Sequence, residues 1–252
     1  ANGKFMASGG HDSKVRLWDV SGRATAYTGT AAAPARLTVP AFELQGHTAR
    51  SNCLAFSVDG SMLASAAVAP DSIVRVWSTS SGELLSTLDA TNPTYGNAAV
   101  HGVVWWSSFT QPTLMLAIAS NTSLQVLNVA TGAVVTSVQG CFLAVAWSPD
   151  GRYLVTSDLT NNTQLWQFSN ELQQVKAFVG HTSSVLSVAW SPLPGTFPDA
   201  PPTVATGGVD NTARLWSCFE PGAAGAGSCP PRPSYDHVYC RVITLCPGLI
   251  NS

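Results

Sequence analysis

The strongest constraint on this fold is recurrence. Residues 180–216 run from Gly180-His181-Thr182 into a nearly continuous apolar stretch, Val185-Leu186-Ser187-Val188-Ala189-Trp190. A shorter run, Thr203-Val204-Ala205-Thr206, stops at Gly207-Gly208, and Asp210-Asn211 turns the chain into Ala213-Arg214-Leu215-Trp216. Apolar runs this short, bounded by Gly, Asp and Asn, read as strands joined by tight turns, the first buried on both faces. Such a hairpin cannot bury its own side chains and needs copies of itself to stack against.

The copies are present. Phe5-Met6-Ala7-Ser8 leads through Asp12 to Val15-Arg16-Leu17-Trp18, and Gly46-His47 leads through Cys53-Leu54-Ala55-Phe56, Leu63-Ala64-Ser65 and Asp71 to Trp77. A degraded copy runs through Val103-Val104-Trp105-Trp106, Leu116 to Ala119 and Leu124 to Leu127; another contains Trp147-Ser148-Pro149-Asp150-Gly151, Tyr153 to Thr156 and Gln164-Leu165-Trp166. Successive ends Trp18, Trp77, Leu127, Trp166 and Trp216 are 59, 50, 39 and 50 residues apart. Removing visible insertions leaves the roughly 40–45 residues of a four-stranded propeller blade.

On the Gly-His pairs, the Trp147–Gly151 turn and the Asp-to-Trp ends (Asp12 to Trp18, Asp71 to Trp77, Asp210 to Trp216), the chain resembles the WD40-repeat β-propeller family. Only Trp18-Asp19 keeps the literal Trp-Asp dipeptide. The resemblance implies an all-β propeller over residues 1–219, with about five blades at 3–44, 44–90, 97–139, 140–179 and 180–219, and a tail at 220–252. Family rings usually have seven blades, and this chain opens inside a blade. It therefore reads as part of a larger ring.

The resemblance also implies a hydrogen-bonded tetrad in each well-kept blade. Two are complete: His47, Ser65, Asp71, Trp77 and His181, Thr206, Asp210, Trp216. The first copy keeps Ser8, Asp12 and Trp18; the fourth keeps Thr156 and Trp166, with Cys141 and Thr160 at the His and Asp positions; the third keeps none. At about 0.5–1.5 kcal/mol per hydrogen bond, blades two and five are expected to be stiff and blade three soft.

Ser, His and Asp converging in this way also invite a hydrolase reading. Recurrence argues against it, because a catalytic group is needed once whereas these sets repeat with the fold. The sequence contains no Gly-rich phosphate loop, metalloprotease motif or Cys-x-x-Cys pair. Neither catalysis, metal nor cofactor is expected. His101 and His237 read as lone histidines, and Trp105, Trp106, Trp147 and Trp190 as core.

Charged residues are 10% of the chain and net charge is −2, so no basic field draws nucleic acid or an anionic membrane. No apolar run approaches the roughly 20 residues of a membrane span. Cys218, Cys229, Cys240 and Cys246 fit no paired zinc knuckles, and reduced thiols of an intracellular protein, cytoplasmic or nuclear, are the favoured reading. Asn121 and Asn161 lie in glycosylation sequons but at turn positions, where Asn is favoured for backbone reasons. The tail carries a Gly/Ala/Pro linker and then Tyr239 to Gly248, which loosely echoes an innermost strand; it reads as a closing strand, the start of another repeat, or a disordered end.

Binding is the function that remains. In the family, partner peptides meet the face formed by loops entering the innermost strands and by the second-to-third-strand turns. Carried over by position, that face takes Arg50 and Asn52, Ser184 and Leu186, with His11, Pro70 and Val209 before the turn aspartates. Arg50 offers a forked donor suited to a carboxylate or phosphate. The expected function is a protein-interaction scaffold within a multiprotein complex. Two alternatives are a substrate-recruiting ubiquitin-ligase adaptor of the Cdc20/Cdh1 type, on Trp147 to Leu154 and Leu215 to Glu220, and a regulatory module of a larger enzyme.

Overall fold

A computed structural model of the protein describes residues 4–21, 38–89, 98–106, 114–191 and 203–218. The sequence inserts around 22–37, 90–97 and 192–202, and the tail with Cys229, His237, Cys240 and Cys246, lie outside the described residues. Described residues form strands and no helix, gathered in five antiparallel sheets.

The first sheet holds β1 (Phe5–Gly9), β2 (Val15–Asp19) and β3 (Phe42–Leu44), and the second β4 (Ser51–Phe56), β5 (Met62–Ala67), β6 (Ile73–Ser78) and β7 (Leu84–Asp89). The third holds β8 (Val100–Trp105), β9 (Met115–Ser120), β10 (Ser123–Asn128) and β11 (Val134–Gln139). The fourth holds β12 (Phe142–Trp147), β13 (Tyr153–Asp158), β14 (Thr163–Phe168) and β15 (Leu172–Phe178); the fifth holds β16 (Val185–Trp190), β17 (Thr203–Gly208) and β18 (Ala213–Ser217). Strand order within each sheet follows chain order, so each is a simple meander. The expected all-β propeller architecture is what the chain adopts.

Turn chemistry shapes each meander. Gly60 (φ 73°) and Gly151 (φ 70°) close the turns between the first two strands of blades two and four, where their amides bond Ser57 O and Ser148 O at 2.9 Å. That left-handed backbone suits glycine. The next turn places Ser13, Ser72, Asn161 and Asn211 at positive φ, each directly after the Asp or Thr that opens it. Asn161 thus serves the backbone role its sequence context suggests.

The cores sit between sheets. Val15, Leu17 and Leu44 of blade one pack with Leu63 and Trp77 of blade two, and Val74 and Val76 pack with Val100, Trp105 and Leu116 of blade three. Leu124 and Val126 meet Trp147, Leu154 and Trp166; Val155, Leu165 and Phe178 meet Val204 and Trp216. Full burial of such a side chain contributes about 1.5–3 kcal/mol. Blade stability is therefore largely interfacial. In blades two to four the second strands β5, β9 and β13 are buried on both faces and lack alternation, whereas β2 and β17 alternate and the outer strands β7, β11 and β15 expose most of their side chains. Strand β16, expected to be buried on both faces, instead exposes Leu186, Ser187 and Ala189.

At the centre β4, β8, β12 and β16 lie side by side in chain order. Gly102 lets β8 come close to β12, since a Cβ there would sit 3.1 Å from Val145 Cγ1. Indole struts join neighbouring blades: Trp105 Nε1 donates to Ala55 O at 2.9 Å and Trp190 Nε1 to Ala146 O at 3.1 Å. At the seam of blades three and four Trp106 Nε1 instead bonds Gly151 O at 2.8 Å, and its ring stacks at an angle on Trp147 and Phe168.

Candidate functional site: a loop face above braced blades

The two full tetrads close in space. In blade two, Trp77 Nε1 donates to Ser65 Oγ at 2.8 Å, Ser65 Oγ lies 2.8 Å from His47 Nε2, and His47 Nδ1 lies 2.7 Å from Asp71 Oδ2. The carboxylate can only accept, so the imidazole carries its hydrogen on Nδ1 and Nε2 accepts the Ser65 hydroxyl proton, while Arg75 Nη1, 2.7 Å from Nδ1, donates to the same carboxylate. Thr48 N also donates to Asp71 Oδ2 at 2.9 Å, tying the entry of β4 to the turn before β6. Blade five repeats the chain: Trp216 to Thr206 at 2.8 Å, Thr206 to His181 at 2.8 Å, His181 to Asp210 at 2.8 Å, and Thr182 N to Asp210 at 3.0 Å.

Electrostatics follow from burial. Desolvation is the largest influence on His47 and, with the Arg75 guanidinium, outweighs Asp71 to hold its pKa below the ordinary value. Burial also opposes ionisation of Asp71, but the Thr48 amide, His47 and Arg75 overcome it and lower that carboxyl pKa. Neutral histidine against ionised aspartate is the resting state. Ser65, wholly buried and already accepting from Trp77, is closed to any substrate. This Ser-His-Asp array braces the blade and does not attack.

The remaining blades depart from the pattern in different ways. Blade one keeps Trp18 Nε1 to Ser8 Oγ at 2.9 Å, while Asp12 pairs with Arg16 at 2.7 Å. Blade four keeps Trp166 Nε1 to Thr156 Oγ1 at 2.8 Å. Its anionic centre is Asp158, which accepts from Thr160 N and Oγ1 at 2.8 and 2.7 Å and from Gln164 Nε2 at 2.9 Å. Motif alignment missed Asp158 because it lies two residues before the expected turn position.

Blade three replaces the tetrad with hydrocarbon: Ile118 and Leu127, at the Ser and Trp positions, are 1% exposed. All but the edge residues of β9 and β10 are buried. Exchanging a polar network for well-packed apolar groups is often neutral or stabilising. The soft third blade expected from motif loss therefore does not follow from the packing. Amides of β9 and β10 should exchange with solvent as slowly as those of β5 and β6 in hydrogen-exchange mass spectrometry; exchange at least tenfold faster would restore the softer reading.

Above the braces lies the loop face. Val68 N bonds Arg50 O at 3.1 Å, Asn121 N bonds Ala99 O at 3.2 Å and Val209 N bonds Ser184 O at 2.8 Å, so in blades two, three and five the second-to-third-strand turn rests on the entry of the innermost strand. Arg50 is exposed, with Nη1 3.3 Å from His11 Nε2 and Nη2 3.3 Å from Asn52 Oδ1. Asn52 Nδ2 reaches Val100 O of the next blade at 3.1 Å. These contacts join His11, Arg50 and Asn52 across blades one to three. Pro70 is exposed on the turn before Asp71, whereas Ser184, Leu186 and Val209 group separately on blade five.

A repeated feature of this face escaped the sequence. Register shifts by one residue between Ser51 and Cys53, Val100 and Gly102, Phe142 and Ala144, and Val185 and Ser187. Each innermost strand thus carries a bulge at its entry, with Asn52, His101, Leu143 or Leu186 as the extra residue. Bulges re-aim side chains. His101 is accordingly one of four equivalent presented residues, not an isolated histidine; only burial, which lowers its pKa, acts on it.

No group of His, Cys, Asp and Glu able to hold a metal occurs among the described residues. Cys53 is half-buried, and desolvation of its thiol pushes the pKa up to about 12; Cys141 is raised by burial and by the Asp158 charge. Among the described residues no helix is long and apolar enough to cross a membrane.

Five meandering sheets, stacked through their faces and braced by Trp-Ser/Thr-His-Asp chains, define a β-propeller of the repeat type. The profile of the WD domain, G-beta repeat, matches residues 1–19, 38–78, 121–167 and 172–217. The chain belongs to the WD40-repeat family. It is 27% identical over 222 residues to the Anaphase-promoting complex subunit cdc20 of Dictyostelium discoideum, covering 87% of this chain and 31% of that protein. It is 28% identical over 89 residues to the 66 kDa stress protein of Physarum polycephalum, covering 35% and 14% respectively. Among solved structures, a chain from the Crystal Structure of Mitotic Checkpoint Complex superposes with a TM-score of 0.65 at 25% identity, over 86% of this chain and 60% of that one. The chain spans less than a third of the length of these two curated relatives.

Proposed function

We propose that this chain is a non-catalytic protein-interaction scaffold that takes a peptide or partner protein on its loop face. The observation that carries the reading is Arg50: exposed, uncrowded by any carboxylate contact in the described residues, and aligned by His11 and Asn52 at the seam of blades one and two. A guanidinium held in this way presents a preorganised fork to an acidic group. The polar chains below use the buried loop residues His47 and Asp71 to keep the loops in place and leave the exposed Arg50 facing solvent.

A substrate-recruiting role in a ubiquitin-ligase complex is the second reading. It is favoured by the likeness, across 87% of the chain, to a protein whose name places it in the anaphase-promoting complex. Membership of a multiprotein complex and an intracellular setting belong to both readings. Arg50→Glu should abolish capture of the partners that the parent protein retains, scored by quantitative mass spectrometry, while the melting temperature moves by no more than about 1 °C. Unchanged capture would remove Arg50 from the site.

A further inference from the structure

The four bulged residues differ in chemistry in a directional way. Asn52 sits beside the basic pair Arg50 and His11, His101 comes next, and Leu143 and Leu186 follow on blades four and five. The turns of blades four and five add further aliphatic side chains, whereas the blade-two turn, Val68-Ala69-Pro70, adds no charge and leaves the cation to Arg50. Leu159, opening the turn after β13, is 55% exposed, Val209 after β17 is 53% exposed, and Leu186 is 58% exposed. The strand pairs Phe142–Asp158 and Val185–Gly208 put Leu159 beside the entry of β12 and Val209 beside that of β16. The loop face is thus cationic over blades one and two and aliphatic over blades four and five.

Resting on the scaffold reading above, we infer that this face selects one extended segment carrying an acidic group at one end and aliphatic side chains at the other. The acid lies against Arg50 and His11, and the aliphatic end covers Leu143, Leu159, Leu186 and Val209. Charge complementarity chooses the sign of the first end, because a basic residue there would meet Arg50 directly. Leu159, Leu186 and Val209, each more than half exposed, select the second, because burying them returns apolar area from water. Blade spacing sets the reach. Packed sheets lie about 10 Å apart, so the two blade steps from Arg50 to Leu143 and the three to Leu186 span roughly 20–30 Å, or about six to nine residues of extended chain at about 3.3 Å each. His101 on blade three, lying between the ends, can hydrogen-bond the main chain of such a segment.

Fluorescein-labelled peptides test this by anisotropy on the full chain. Each probe joins an acidic block to an aliphatic block through zero to ten Gly/Ser residues; one set uses Asp and Glu, another phosphoserine, and controls replace the acids with Lys or the aliphatics with Ser. Binding should be strongest with spacers of about six to nine residues and at least tenfold weaker for either control. Arg50→Glu and Leu186→Asp should each weaken the matched probe at least tenfold, the first loss alone shrinking as salt rises. The better of the carboxylate and phosphate sets identifies the acid. Equal binding of Lys-block and acid-block probes, or no loss with Leu186→Asp, overturns the two-ended site even where Arg50→Glu still abolishes partner capture. If capture also survives Arg50→Glu, the scaffold face itself has been misplaced.

Discussion

Replacing Asp71 by alanine is expected to lower the unfolding free energy by about 3 kcal/mol, read from urea titrations of tryptophan fluorescence. The Asp71 side chain is 2% exposed and its carboxylate accepts from His47 Nδ1, Thr48 N and Arg75 Nη1. Removing it strands a buried imidazole N–H and a backbone N–H and leaves the half-buried guanidinium uncompensated. Breaking a buried pair from one side costs about 3–5 kcal/mol; Arg75 can still reach water, which argues for the lower end. A loss under about 1 kcal/mol would mean the tetrad is ornamental.

The pH dependence of this brace has a definite sign. Both Asp71 and His47 have folded pKa values below their ordinary ones. Each therefore contributes stability that is present above its unfolded pKa and is lost as pH falls through the folded value. Stability should begin to fall below about pH 6.5, as unfolded histidine gains a proton that folded His47 resists, and should fall again below about pH 4, where the aspartate term fades. Asp71→Ala lacks the second contribution, so the gap between parent and variant should close in acid.

Phe178→Ala is the second large effect, about 3–5 kcal/mol, the usual range for emptying a buried aromatic site. Phe178 ends β15, is 1% exposed and lies 5.4 Å from the Trp216 ring, centroid to centroid. It belongs to blade four but fills the core of blade five. Its loss should therefore speed amide exchange in β16 to β18 far more than in β4 to β7. Equal acceleration in both blades would show that the propeller unfolds as one unit and that Phe178 is no local clasp.

Leu44 and Val138 stand, like Phe178, two residues before the glycine that opens the next blade, and each packs in the same cluster as that blade's tryptophan or its equivalent. This clasp was hidden in the sequence because its partner lies 28 to 38 residues on and the side chain varies among Leu, Val and Phe. The tetrads were legible for the opposite reason. Hydrogen-bond geometry tolerates few residue types, so His, Ser or Thr, Asp and Trp recur at readable offsets. Asp158 shows the limit of that legibility, since a carboxylate displaced by two residues serves the same turn through different donors. On the loop face, Arg50, Asn52 and His11 could be placed together by register alone, whereas His101 and Leu143 could not.

By itself the chain's order of residues determined the blade as a unit, its turns and its internal polar chain, because each depends on contacts within some 30 neighbouring residues. Tertiary structure decided which residues face the next blade, where the entry bulges fall, and that blade three is held by hydrocarbon. Those outcomes are set by how two adjacent sheets fit, and no local propensity encodes the shape of a neighbour.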